Sequence, residues 1–190
     1  MHMSKPWLFI VQITWALTFV LLSMPALATA EKTFKGVRAK VVVRNNQIAV
    51  YQAIRGLRQS DPSDVRVIST SDNEDVLEER FDGLPIIGQA RCIYKEKYAP
   101  PKRIDYQMLE SDHFKAFEGS WVLKPMADGN STEVELSSYI DAGLPIPFAR
   151  QITNIQTMKD VRERLEQVKR SAESSQQLVG SFRKATNASQ

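Results

Sequence analysis

The stretch from Lys102 to Pro125, KRIDYQMLESDHFKAFEGSWVLKP, constrains the fold more than any other. Its first arm alternates: Ile104, Tyr106 and Met108 share one face, with Asp105 and Gln107 between them. On its second arm Phe117, Trp121 and Leu123 share a face. Side chains of a strand point to opposite faces with period two, so each arm reads as a strand with one dry and one wet face. The link from Leu109 to Lys115 is short and polar, which predicts an antiparallel hairpin. A two-stranded dry face needs further strands beside it and a cover over it.

The rest of the chain supplies both. Val37, Ala39, Val41 and Val43 share one face of a predicted strand over 34–43. Asn45 or Asn46 can cap the short amphipathic helix that follows over 48–57, on which Val50, Tyr51, Ile54 and Leu57 cluster. Strands are predicted over 65–70, 75–84, 90–96 and, beyond the hairpin, 132–140. Two prolines in Ala142-Gly143-Leu144-Pro145-Ile146-Pro147 stop the sheet. A helix is then predicted from near Phe148 to about Ser171, with Ile152, Ile155, Met158, Val161, Leu165 and Val168 as its apolar stripe. At 1.5 Å per residue it would span roughly 30 Å, enough to cross a sheet. The fold class is therefore α+β: a curved antiparallel sheet of six to seven strands around a long C-terminal helix, with a short helix after the first strand. One helix stripe does not fill such a sheet, which leaves room for a cavity between the layers.

The two ends read differently. Residues 1–30 have the pattern of a signal peptide: Lys5, an apolar run from Trp7 to Leu22, then Ala26-Leu27-Ala28 and Ala28-Thr29-Ala30 as small-x-small cleavage sites. Cleavage after Ala30 is expected, giving a periplasmic or secreted protein; an uncleaved anchor is the alternative. The domain is expected over 31–172, and residues 173–190 as a polar flexible tail.

Charge and residue chemistry remove several function classes. A net charge of +3, from 25 basic and 22 acidic residues, is too balanced for a nucleic-acid binder without a basic stripe. The single cysteine, Cys92, leaves no intrachain disulfide and no Cys-rich metal site, and no metal or other cofactor is expected. His113 lies in the hairpin link, so no Ser-His-Asp arrangement can be assembled, and there is no glycine-rich phosphate loop. Glu133 and Glu135 alternate away from the apolar face. Glu79 is the exception, sharing a face with Leu77 and Phe81. A carboxyl group in an apolar cavity could act as acid or base, or bind a ligand hydroxyl; pairing with Arg80 or Arg91, or re-aiming by a bulge near Gly83, is the structural alternative. Tyr94 and Tyr106 carry hydroxyls that need partners when buried and could orient a ligand's polar end.

Lys102-Arg103-Ile104-Asp105-Tyr106, then Phe114 through Pro125 with its Phe-x-Gly-x-Trp stretch, the acidic alternating strand and Gly143-Leu144-Pro145-Ile146-Pro147 together resemble the SRPBCC superfamily. More narrowly they resemble its polyketide cyclase/dehydrase and coenzyme Q-binding branch, related to START lipid-transfer domains. The resemblance covers about residues 34–172 and implies a helix-grip fold with a ligand cavity. Leu77, Phe81, Cys92, Tyr94, Tyr106, Met108, Phe117, Trp121, Leu136, Ile140, Ile152, Ile155 and Met158 are expected to line it, with Leu144, Ile146 and Phe148 as an apolar lip that could touch a membrane. The first expected function is a non-catalytic, monomeric carrier of a lipid, isoprenoid, quinone or other hydrophobic small molecule. The second is a cyclase, aromatase or dehydratase using Glu79, Tyr94 or Tyr106 for proton transfer. The third is a protein-interaction domain with a filled cavity.

Overall fold

The alternating segments become strands of one sheet in the computed structural model, which describes residues 34–57, 65–84 and 87–187. In chain order the elements are β1 (Val37–Val43), α1 (Gln47–Leu57), β2 (Val65–Thr70), β3 (Glu74–Leu84), β4 (Gly88–Ala99), β5 (Arg103–Ser111), β6 (Ala116–Pro125), β7 (Thr132–Asp141) and α2 (Ala149–Asn187). The seven strands run antiparallel in the order β1-β7-β6-β5-β4-β3-β2. Strands β2 to β7 form a meander, and β1 closes the far edge by pairing with β7, Ala39 opposite Leu136 and Val41 opposite Val134. This is the expected α+β helix-grip architecture. The expected signal peptide lies outside the described residues. Among the described residues no helix is long and apolar enough to cross a membrane.

The expected antiparallel hairpin forms, with Ile104 opposite Trp121 and Tyr106 opposite Gly119. Its arms then part. Pairing between them stops at Gln107–Glu118, while β5 continues along β4 to Ser111 and the start of β6 pairs with β7. The link is therefore shorter than predicted, because Leu109 to Ser111 belong to a strand. Phe114, from that link, is buried, with its ring 5.3 Å from Phe81 and 6.4 Å from Phe117 between centroids.

Asn46 caps α1: its Oδ1 accepts the Ala49 N–H at 2.9 Å. Asn45 joins three elements, since its amide donates to the Ala172 carbonyl and its own carbonyl accepts the Thr132 hydroxyl, both at 2.9 Å. Thr132 is fully buried, so these bonds are made away from water, where an unmade one is expensive.

Helix α2 packs on β1, β7 and α1. Its buried stripe is Thr157, Val161, Leu165, Val168 and Ala172. This corrects the predicted stripe at its N-terminal end. Steps of three residues rotate by about −60° each, so Ile155 lies about 120° from Val161 and Ile152 about 180°. Ile155 is accordingly 74% exposed, and Ile152 and Met158 are half-buried. The helix also continues to Asn187, so the backbone of 173–187 is helical where a polar tail was expected.

Candidate functional site

Because α2 rests on the β1–β7 side of the sheet, the space between it and β3, β4 and β5 stays open. This cavity has a volume of about 410 Å³. Its floor is the inner face of the sheet: Phe81, Tyr94, Tyr106, Phe117, Trp121, Leu136 and Ile140. The aromatic rings interlock, Phe117 lying 4.9 Å from Tyr106, 5.1 Å from Tyr94 and 5.5 Å from Phe81 between centroids. Offset and edge-to-face pairs at such separations add to simple area burial. The opposite wall, on α2, presents the polar Gln156, Asp160, Glu163, Arg164 and Gln167 beside the apolar Val161 and Val168. The cavity is thus amphipathic across its width. A hollow of about 480 Å³ on the outer sheet face, lined by Arg38, Lys95, Lys97, Arg103 and Glu118 among others, is larger but shallower and highly charged.

Seven of the residues expected to line the cavity do so: Phe81, Tyr94, Tyr106, Phe117, Trp121, Leu136 and Ile140. Leu77 and Cys92 face inward but are sealed in the core, and Met108 is half-buried against it. Strand alternation fixes the face of a residue, not whether another layer covers it. Ile152 lines a separate small cavity of about 30 Å³, together with Leu144, while Met158 packs on the core. Ile155 points to solvent, as do Ile146 and Phe148; Phe148 is 72% exposed and has φ 62°, a backbone conformation that costs a bulky residue energy.

Glu79 is 4% exposed and reaches the cavity, as alternation requires. It pairs with neither Arg80 nor Arg91. Tyr94 Oη donates to its Oε2 at 2.8 Å, and the Arg164 guanidinium, from across the cavity, donates to its Oε1. Arg164 forms an ion pair with Glu79, whose charge raises the arginine's pKa above its ordinary value. The adjacent carboxylate Glu78, on the outer face, receives Arg66 and Arg91 at 3.1 Å each. Burial raises its pKa, but the two guanidinium groups outweigh that effect and hold it below the usual carboxylate range.

The Tyr106 hydroxyl donates to the Ser137 carbonyl at 3.0 Å, across β6. Gly119 permits this: a Cβ there would stand 2.3 Å from the Tyr106 hydroxyl and 2.1 Å from the Ser137 carbonyl oxygen. A second polar group lies deeper, where Tyr98 Oη contacts Asp75 at 2.6 Å and Glu96 at 3.0 Å, and Arg55 meets Asp75 at 3.1 Å. Glu96, 1% exposed, also lines the cavity.

Sequence reasoning missed Arg164, Asp160 and Glu96. Asp160 is half-buried and accepts a hydrogen bond from Gln156 Nε2 at 3.1 Å. Burial raises its carboxyl above the ordinary range, with Arg164 pulling the other way. Gln156, Asp160, Arg164 and Gln167 recur at steps of four, four and three along one flank of the buried stripe. That polar flank was the available signal. Cys92, fully buried opposite Glu79 on the neighbouring strand, has its thiol pushed up to about 12, first by burial and then by the charges of Glu79 and Asp112. Among the described residues no three His, Cys, Asp or Glu side chains converge as metal ligands.

No protein-family model matches the chain, and no curated protein matches it. Solved structures do. TTHA0849 from Thermus thermophilus is 20% identical with a TM-score of 0.61, over 73% of this chain and 97% of that one. The Zhui aromatase/cyclase from a Streptomyces species is 17% identical with a TM-score of 0.62, over 72% and 92%. The di-domain ARO/CYC StfQ of the steffimycin biosynthetic pathway is 15% identical with a TM-score of 0.54, over 74% and 46%. At these identities the likeness is one of fold, the helix-grip arrangement of a curved antiparallel sheet and a long C-terminal helix.

Proposed function

We propose that this chain is an exported, non-catalytic carrier of a hydrophobic small molecule that bears a polar group at one side. The observation that carries the proposal is the cavity of about 410 Å³ between an aromatic floor and a polar helix wall. Small-molecule sites are concave and combine apolar surface with placed polar groups, in volumes from about 300 to 1,000 Å³. A short isoprenoid chain or a few fused rings suit that volume; a two-chain lipid does not. A core filled by its own side chains, the requirement of the interaction-domain alternative, does not suit it either.

The partners of the three candidate proton-transfer groups favour binding over chemistry. Tyr94 donates to Glu79, Glu79 is paired with Arg164, and Tyr106 donates to a backbone carbonyl. Each is engaged in holding the cavity together. The enzymatic alternative, a cyclase, aromatase or dehydratase, is favoured by one observation, the buried Glu79 carboxylate reaching the cavity beside a tyrosine hydroxyl. Turnover of a poly-β-keto or hydroxylated ring substrate that is lost in Glu79→Gln, at unchanged stability, would decide for it.

Export rests on the small-x-small pattern at 26–30, and a mature N-terminus at Glu31 is the expected result of N-terminal sequencing. Exchange with a membrane is supported by Ile146, Phe148 and Ile155, exposed near the start of α2 beside Leu144. The test of the carrier proposal is native mass spectrometry of protein purified from its own cell envelope. A stoichiometric hydrophobic adduct supports it. A bare mass, with no uptake from a mixed lipid and quinone extract, refutes it.

A further inference from the structure

We infer that the cavity selects its ligand by charge and takes a hydrophobic organic cation, a protonated aromatic or polycyclic amine, in preference to neutral and anionic molecules of the same shape. The inference rests on the carrier reading and names the chemical class that enters that cavity.

The charges that face the cavity are unequal. Among the described lining residues, the carboxyl groups of Glu79 and Asp160 stand against one interior guanidinium, that of Arg164, while Glu96 is engaged by Tyr98; at the rim Asp82 and Glu163 stand against Arg80. Arg164 is committed to Glu79, so that pair presents little net charge to a ligand. An incoming carboxylate or phosphate would have to compete with Glu79 for the same guanidinium. It would do so one helical turn from Asp160, which repels it. Like charges in a partly desolvated site cost far more than in water.

A cation meets the opposite conditions. Asp160 sits on the α2 wall, half-buried, with the Gln156 amide donating to it at 3.1 Å. Burial disfavours its ionised form, and a bound cation would relieve that penalty. Across the cavity stand Tyr94, Tyr106, Phe117 and Trp121. Aromatic faces attract cations through the ring quadrupole, and more strongly where water is excluded. The same rings, set mostly edge-to-face, provide an apolar floor for the body of the ligand. Asp160 facing an aromatic floor thus suits an amine on an aromatic scaffold at both ends.

The test uses the full chain as its host makes it, freed of bound material, and three fluorescent probes with one ring system: 9-(methylaminomethyl)anthracene, 9-anthracenemethanol and anthracene-9-carboxylate. Affinities are measured near neutral pH, where the amine is protonated. The expected order is amine tightest, by about tenfold or more over the alcohol, with the carboxylate weakest. Asp160→Asn, which keeps the shape and the Gln156 contact, should bring the amine down to the alcohol's affinity. Binding of the alcohol or carboxylate as tight as the amine overturns this inference and leaves the carrier reading standing. An amine preference that survives Asp160→Asn overturns the assignment to Asp160. Binding of none of the three overturns the carrier reading and this inference together. The three-probe comparison on the unaltered protein carries the test if Asp160→Asn fails to fold.

Discussion

Removing Arg164 should destabilise this protein more than removing the carboxylate it serves. Glu79 is 4% exposed, and its other hydrogen-bond donor is Tyr94 at 2.8 Å. Arg164→Met keeps most of the apolar stem but leaves that carboxylate with one neutral donor. Breaking a fully buried pair in this way costs about 3–5 kcal/mol. The Arg164 side chain is 42% exposed, so water entering the cavity replaces part of what is lost. Exposed pairs are worth about 0–1 kcal/mol, and a site between the two limits should lose about 2 kcal/mol. Glu79→Gln leaves a cation that water can reach and keeps an acceptor for Tyr94, so about 1 kcal/mol is expected. The double variant has neither charge and should also lose about 1 kcal/mol, less than the two single losses together. Urea unfolding of the four proteins near neutral pH, with a common m-value, measures all of this. Equal losses in the two single variants, or additive losses in the double, would refute the claim that Arg164 exists to neutralise a buried Glu79.

Other perturbations test other parts of the structure. Gly119→Ala places a Cβ 2.1 Å from the Ser137 carbonyl oxygen and 2.3 Å from the Tyr106 hydroxyl, so a loss of about 1–3 kcal/mol is expected, with reduced probe binding; a melting curve like that of the parent would count against it. Cys92, fully buried with its thiol pushed up to about 12, should resist iodoacetamide in the native protein at about pH 8 and react once the protein is unfolded; fast native labelling would contradict the sealed core. Phe148→Ser with Ile155→Ser should reduce sedimentation with anionic vesicles and leave the melting temperature unchanged, because both side chains are already more than 70% exposed; unchanged vesicle binding would remove the membrane lip.

The sheet was legible because period two is a strict rule. Alternation assigns Ile104, Tyr106, Phe117 and Trp121 to one face, and the observed pairs Ile104–Trp121 and Tyr106–Gly119 keep them there. The same rule put Glu79 on the inner face with Leu77 and Phe81, against the usual expectation for a carboxylate, and it is buried there. Pairing partners beyond the hairpin were less legible. Leu109 to Ser111 read as a polar link, yet they belong to β5, with Glu110 and Ser111 paired to β4 beyond a bulge at Leu109, and backbone hydrogen bonds leave little trace in side-chain composition. Nor does alternation report depth, which is why Leu77 and Cys92 were expected at a cavity wall and lie sealed in the core.

The helix half of the cavity was hidden for a geometric reason. Choosing Ile152, Ile155 and Met158 as core tilted the assumed face by steps of three, and this swung the true cavity wall out of view. Measured from Val161, Leu165, Val168 and Ala172 fall within about 40°, Arg164 lies about 60° to one side, Asp160 about 100° and Gln156 about 140° on that side. Ile155 lies about 120° to the other side, in solvent. A helix that leans toward one side of a curved sheet must face the open side with a flank. That flank carries polar residues where it meets the cavity. Reading α2 as one dry and one wet face leaves no place for such a flank, so Arg164 and Asp160 fall in neither. The ion pair that joins Arg164 to Glu79 therefore draws on two residues that belong to different sequence patterns, one of period two and one of period 3.6. Each pattern alone shows only half of the site.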